Sequence, residues 1–258
     1  MSSLLLLTLM LGADAGATPP EPSLAVRHAA FEITTSTGAT LRSADLVGAS
    51  FDITGDGGGV QALRIDAVAP AAERAAVLLH SFSIKTKEGA WAAMCQPDVQ
   101  GRQAGFPIAG RWGPDGRFIK DATAWFPACT SGAQGKCILW GYDPWGKGPN
   151  GEDLAPYYEA CIHMVRADYD GRGAPNTRNG TSIDVWDKAG VQAPGSLQDA
   201  SYSFEAGWGP TGAVCVAKTR YQDLLPRKVL LESSPHLDGP CDEAAATARG
   251  ALVFDRSR

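Results

Sequence analysis

Six cysteines constrain this chain more than any other feature: Cys95, Cys129, Cys137, Cys161, Cys215 and Cys241, all beyond residue 90. An even number downstream of an export-type leader reads as three disulfides formed in an oxidising compartment. Six cysteines admit fifteen pairings, and spacing alone leaves the choice open. The short segment Thr130-Ser-Gly-Ala-Gln-Gly-Lys136 singles out Cys129 with Cys137 as the first pair expected, clipped across a local loop. No two cysteines have the spacing of a zinc knuckle, and with only four histidines in the chain a structural zinc site is not expected.

The leader is Met1-Ser-Ser-Leu-Leu-Leu-Leu-Thr-Leu-Met-Leu-Gly12. Its apolar run, Leu4 to Leu11, is far short of the ~20 residues that span a bilayer. It fits the apolar core of a secretory signal. Ala13-Asp14-Ala15 and Ala15-Gly16-Ala17 follow it with small residues where a peptidase cuts. No Lys or Arg precedes the run, and the competing reading is a buried N-terminal segment. The absence of a nearby cysteine excludes lipid attachment there. We expect a signal peptide over residues 1–17, no transmembrane segment, and a secreted or periplasmic protein.

Composition excludes several classes. Hydrophobic residues make up 44% and charged residues 20%, which is not the balance of a disordered chain. A folded chain of this length buries roughly 70–75% of its unfolded surface, enough for a full core. Without Asp14, 23 basic groups face 27 acidic ones, and no basic cluster exceeds two adjacent residues. Nucleic acid is therefore set aside as a partner, as is an anionic membrane surface. The 30 Gly, 17 Pro and 7 Trp point to a turn-rich, β-rich fold.

Residues 18–90 read as a proline-stiffened leader followed by a β segment, with strands around Leu63, Ile65 and Val77 to Ile84, separated by Gly55 to Gly59 and by Pro70. Three five-residue units open at Ala39, Ala44 and Ala49, with Leu41, Leu46 and Phe51 at their centres, and resemble a pentapeptide-repeat pattern. Three units make less than one coil, so a turn-rich β ribbon is the better expectation. Residues 91–258 form the disulfide-bearing domain. Within it, Trp112-Gly-Pro114-Asp-Gly116 and Trp208-Gly-Pro210-Thr-Gly212 echo each other as hairpin turns with a Trp over the corner. The alternative makes the two Trp residues ligand platforms.

Leu154, Tyr157, Tyr158, Cys161 and Val165 fall at helical spacing behind Asp153 and Pro156. This predicts the main helix near 153–167, with Cys161 buried and Glu159, His163 and Arg166 on its other face. A second short helix is expected over Glu243 to Arg249, ended by Gly250. The fold class is α+β and β-rich: a disulfide-stapled antiparallel sheet domain with one main helix and a short N-terminal β segment.

The segment that follows the main helix concentrates carboxylates: Asp168, Asp170, Asp184 and Asp187. Acids just past a helix C-terminus meet the negative end of its dipole and need a positive partner. Arg166, Arg172 and Arg178 supply one reading, an Arg–Asp network ordering the loop. Calcium bound by the four aspartates supplies another, although Arg172 and Asn179 occupy positions where an EF-hand needs ligands. Calcium is the one cofactor weighed; otherwise none is expected. An enzyme would use His163 as a base oriented by Asp168, Asp170 or Asp184. No nucleophile elbow, phosphate loop, zincin helix or dinucleotide fingerprint accompanies them. Trp140, Tyr142 and Trp145 offer stacking faces to a sugar or a peptide, or else fill the core.

Three blocks carry a family likeness: Gly132 to Trp145, Ala160-Cys161-Ile-His-Met164-Val165-Arg166-Ala167-Asp168-Tyr169 with the Thr-Arg-Asn-Gly-Thr turn and Ile183-Asp184, and Phe204-Glu205-Ala206-Gly-Trp208 through Cys215. Over about residues 90–220 the chain resembles the ADYC domain family of exported bacterial proteins, named for an Ala-Asp-Tyr-Cys motif. The resemblance implies domain identity and export and assigns no catalytic residue. Asp170 stands where the family has Cys, which would leave that cysteine's partner over; Cys241 is expected to take it up. The function expected is non-catalytic binding of a ligand or partner at the envelope or outside the cell. The alternative is a hydrolase using the His/Asp cluster.

Overall fold

The computed structural model describes residues 23–54, 58–195 and 201–258. The expected signal peptide at 1–17, the proline-rich stretch 18–22 and residues 55–57 lie outside the described residues. β1 (Ser23–Arg27), β2 (Ala30–Thr34) and β3 (Thr40–Arg42) form a three-stranded antiparallel sheet. His28 and Ala29, both at positive φ, make the two-residue turn between β1 and β2, the geometry that matches strand twist.

β4 (Ser50–Thr54), β5 (Val60–Pro70), β6 (Leu78–Lys85), β7 (Trp91–Ala93) and β8 (Gly105–Ala109) belong to a larger antiparallel sheet. Between β8 and the last strand of this sheet stands the hairpin of β9 (Arg111–Trp112) and β10 (Phe118–Ile119), the first of the two turns expected from Trp-Gly-Pro. β11 (Trp125–Cys129) completes the sheet in the order β11-β8-β6-β5-β4, with β7 on β6. Strands from both sides of residue 90 share it. The five-residue units over 39–53 become β3, a 3-10 turn at Ser43–Leu46 and β4, so they form a ribbon and not a solenoid coil. Phe31, Leu63, Ile65 and Phe82 are buried beneath this part, with the Phe31 ring edge-on to Trp125 at 5.0 Å.

Two helices follow, α1 (Ala133–Leu139) and α2 (Ala155–Arg166). β12 (Asp184–Asp187), β13 (Ser203–Gly209) and β14 (Gly212–Val216) come next, then α3 (Arg227–Ser233), α4 (Glu243–Ala248) and β15 (Val253–Ser257). The second sheet runs β12-β15-β13-β14, entirely antiparallel. Pro210 and Thr211 turn β13 into β14, the second expected hairpin, and Trp208 beside it is fully buried. In α4, Asp242 caps the helix by accepting the Ala245 N–H at 2.8 Å, and Gly250 follows it at positive φ. With 34% strand and 17% helix among the described residues, antiparallel sheets and three disulfides, this is the β-rich α+β fold expected.

α2 is the helix its spacing predicted, two residues shorter at the start. Asp153 accepts the Ala155 N–H at 3.0 Å and Pro156 sits in the first turn. Tyr158, Ala160, Cys161 and Met164 are fully buried; the helix packs on β13, β14 and β15, while the Tyr158 ring meets Trp112 and Phe118 of the β9–β10 hairpin. Glu159 departs from the expectation of a polar outer face: it is buried, because the β9–β10 hairpin folds over it.

The cysteines pair as Cys95–Cys129, Cys137–Cys161 and Cys215–Cys241. The expected local clip between Cys129 and Cys137 is thus corrected. Residues 130–136 are not an open loop: Gly132 opens α1, whose buried side carries Cys137 toward Cys161 on α2, while Cys129 ends β11 beside Cys95. Gly135 allows that approach, since a Cβ there would collide with the Cys129 carbonyl. Cys241 is bonded, as expected. Each bridge closes a chain loop of the size that restricts the unfolded state by about 3–4 kcal/mol.

Candidate functional site

The site is built by the way α2 ends. Ala167 adopts a left-handed conformation with φ 50°. The Ala167 N–H returns to the Met164 carbonyl at 3.0 Å and the Asp168 N–H to the His163 carbonyl at 2.9 Å. This Schellman pair satisfies two of the carbonyls a helix leaves open. It also throws Asp168 back over the last turn, where its Oδ2 meets His163 Nδ1 at 2.9 Å. The Asp168 carboxylate accepts the Gly173 N–H as well, at 2.9 Å and 3.1 Å. The His163 side chain is 15% exposed and that of Asp168 only 2%. A histidine held at Nδ1 by a buried carboxylate presents Nε2 outward, the orientation of a hydrogen-bonding or proton-accepting group.

The pair lines a cleft of about 670 Å³. The β9–β10 hairpin forms one wall through Trp112 and Arg117, the start of α1 another, and the loop after α2 with Thr211 a third. Arg117 Nε donates to Glu159 Oε1 at 2.9 Å, and the Phe118 N–H donates to the same oxygen at 2.6 Å. That pairing fastens the hairpin to α2. Gly171, at positive φ, lets the loop cross the β13–β14 turn, because a Cβ there would strike the Thr211 carbonyl. The Ala213 N–H bonds the Tyr169 carbonyl at 2.9 Å across the same crossing.

Tyr169 points the other way, into the core. Its hydroxyl donates to Glu205 Oε1 at 2.8 Å and accepts the Arg220 N–H at 2.7 Å. Arg220 Nε donates to Glu205 at 3.0 Å and its Nη2 to Asp255 at 2.9 Å, while Trp208 Nε1 donates to the other Asp255 oxygen at 2.8 Å. All of these side chains are buried. Burial, reinforced by the Glu205 charge, drives the Asp255 carboxyl well above the usual range. Burial opposes the Arg220 charge, but Glu205 and Asp255 outweigh it and raise its pKa. The guanidinium also bonds the Met164 carbonyl at 2.9 Å and the Val165 carbonyl at 3.3 Å, placing a cation at the negative end of α2.

Of the residues the sequence nominated, His163 and Asp168 come together and the rest do not join them. Asp170 faces Arg172 at 3.6 Å. Asp184 accepts from Arg256 Nε at 2.7 Å and from the Gly195 N–H at 2.8 Å. Asp187 accepts from the Tyr142 hydroxyl at 2.8 Å and from the Gln192 N–H at 2.6 Å. The four aspartates are therefore held separately. Among the described residues no group of three or more His, Cys, Asp or Glu side chains is placed to hold a metal ion. Tyr142 is fully buried, and burial, with the Asp187 charge, pushes its hydroxyl far above the ordinary tyrosine range. Trp140 and Trp145 are half-buried against the core.

The expected Arg–Asp network is there in part: Arg172 meets Asp170, but the other two arginines turn elsewhere and Asp184 draws on a distant one. Arg256 serves Asp184, Arg166 bonds the Gly173 carbonyl, and Arg178 pairs with Asp223. Arg117 and Glu159 were not among the nominated site residues, and Trp112 entered only as the alternative ligand platform. The one signal for them was the Trp-Gly-Pro turn, read above as a hairpin corner.

Fold and site together define a disulfide-stapled, β-rich domain organised around one helix, with a His–Asp pair at the mouth of a cleft where that helix ends. The chain belongs to the ADYC domain family, whose model matches residues 43–222. The matched span begins inside the N-terminal β segment and includes α2, its Ala167-Asp168-Tyr169 terminus and the β13–β14 hairpin. Neither the curated proteins nor the solved structures yield a match to the chain. Among the described residues no helix is long and apolar enough to cross a membrane.

Proposed function

We propose that the chain is an exported binding domain, periplasmic or secreted, that takes a polar saccharide in the cleft beside α2 and does no chemistry on it. The observation that carries this reading is the mutual pairing of four side chains in the cleft wall. Arg117 and Glu159 satisfy each other, as do His163 and Asp168, so the walls are fixed before a ligand arrives. A pre-fixed recess loses little freedom on binding. Trp112 supplies an apolar face, His163 Nε2 and Thr211 supply hydrogen-bonding groups, and Ser and Cys are absent from the described lining. That combination suits a hydroxyl-rich ligand.

The test is calorimetric titration with neutral and amino-sugar oligosaccharides. Saturable binding weakened at least ten-fold by Trp112→Ala and by His163→Ala supports the reading; binding that neither variant changes, or none at all, refutes it. The His163–Asp168 distance of 2.9 Å favours a second reading, hydrolysis with His163 as general base toward a water. The same saccharides incubated with the protein distinguish the two. Cleavage products that disappear in His163→Gln would assign a hydrolase, whereas ligand recovered intact leaves a binding domain.

A further inference from the structure

A second cleft, of about 680 Å³, lies on the other side of the α1 start and shares Gly132, Ala133 and Arg166 with the first. Its charged lining is of one sign. Lys136, Arg166, Arg178 and Arg220 border it, and no Asp or Glu does among the described residues that line it. This is unusual for a chain with a net charge of −5. We propose that this cleft is a binding site for an oxyanion of the phosphate class.

The four cations differ in how far their charge is already met. Arg220 is matched by buried Glu205 and Asp255 and forms a fixed floor. Arg178 pairs with Asp223 through Nη2, but both side chains are exposed and the guanidinium stacks over Tyr221 at 4.3 Å. Arg166 donates to the Gly173 carbonyl, which carries no formal charge. Lys136, half-buried in the last turn of α1, has no ion-pair partner among the described residues. Two cations thus face the recess without a neutralising acid. Like charges gathered in a concave, partly desolvated recess repel one another and favour an anion that relieves them. Thr177 and Ser182 stand on the same rim and can complete the hydrogen bonds of a tetrahedral oxyanion.

The inference does not depend on what the neighbouring cleft takes, and Lys136 and Arg178 line only this one. The probe is pyrophosphate, titrated calorimetrically into the disulfide-intact protein at low ionic strength held constant with sodium chloride. The expected result is saturable binding that Lys136→Gln and Arg178→Gln each weaken at least ten-fold. Lys228→Gln, on exposed α3, should leave it within two-fold. No saturable binding, unchanged affinity in both cleft variants, or equal loss in Lys228→Gln would overturn the proposal. Glycerol 3-phosphate and phosphatidylglycerol vesicles identify the source of the phosphate. Competition by the former alone assigns a free phosphate ester, and cosedimentation with the latter that the same variants abolish assigns a lipid headgroup.

Discussion

His80 shows how much one buried side chain can govern. It lies inside β6, stacked on Phe82 at 5.3 Å and edge-on to Phe31, with Nδ1 against the Leu78 carbonyl at 3.1 Å. Burial lowers its pKa from 6.5 to about 4. The unfolded chain therefore takes up a proton below pH 6.5 that the folded chain refuses until about pH 4. Stability must fall as pH drops through that window, by about 3 kcal/mol at full extent. Denaturant titrations between pH 7 and pH 4 should show that slope, and His80→Gln should flatten it. A slope that survives the substitution would place the effect elsewhere. Carboxylates such as Asp98 and Glu73, whose pKa values are lowered by their Arg102 bonds, lose their contribution only at still lower pH.

At the scale of elements, α2 connects the core to the site. Its C-terminal carbonyls are closed by the Schellman turn on one side and by Arg220 on the other. Replacing Arg220 with Met removes that cation and strands Glu205 in the core without a charge partner. Breaking a buried pair in this way costs about 3–5 kcal/mol. The variant's unfolding midpoint should drop accordingly, with amide exchange accelerating first in the last turn of α2; a change below about 1 kcal/mol would show the network to be redundant.

α2 was legible because apolar spacing, an Asp just ahead of the first turn and an early Pro all agree. α4 was legible through its alanine-rich run and closing glycine. α1 was not, since Gly132, Gln134 and Gly135 read as loop, and its short length leaves no periodicity to count. His163 and Asp168 lie five residues apart, and a local turn brings them together, so sequence proximity was a usable guide. Asp184 and Arg256 lie 72 residues apart and Arg220 and Asp255 lie 35 apart; they meet only because β15 inserts between β12 and β13. No local pattern encodes that insertion.

The whole molecule is held by three long-range staples, two of them around the clefts. Cys137–Cys161 ties α1 to α2, which together separate the two recesses, and Cys95–Cys129 fixes the strand that leads into α1. Cys215–Cys241 ties β14 to the segment before α4. Pre-fixed walls are what a binding cleft needs, and the bonds that fix them form only in an oxidising compartment. The proposed export and the proposed binding both depend on these bridges. The most direct test is a non-reducing peptide map of the protein recovered from outside the cytoplasm. The expected map holds Cys95–Cys129, Cys137–Cys161 and Cys215–Cys241 with no free thiol; a Cys129–Cys137 pair, or reduced Cys137 and Cys161, would overturn it.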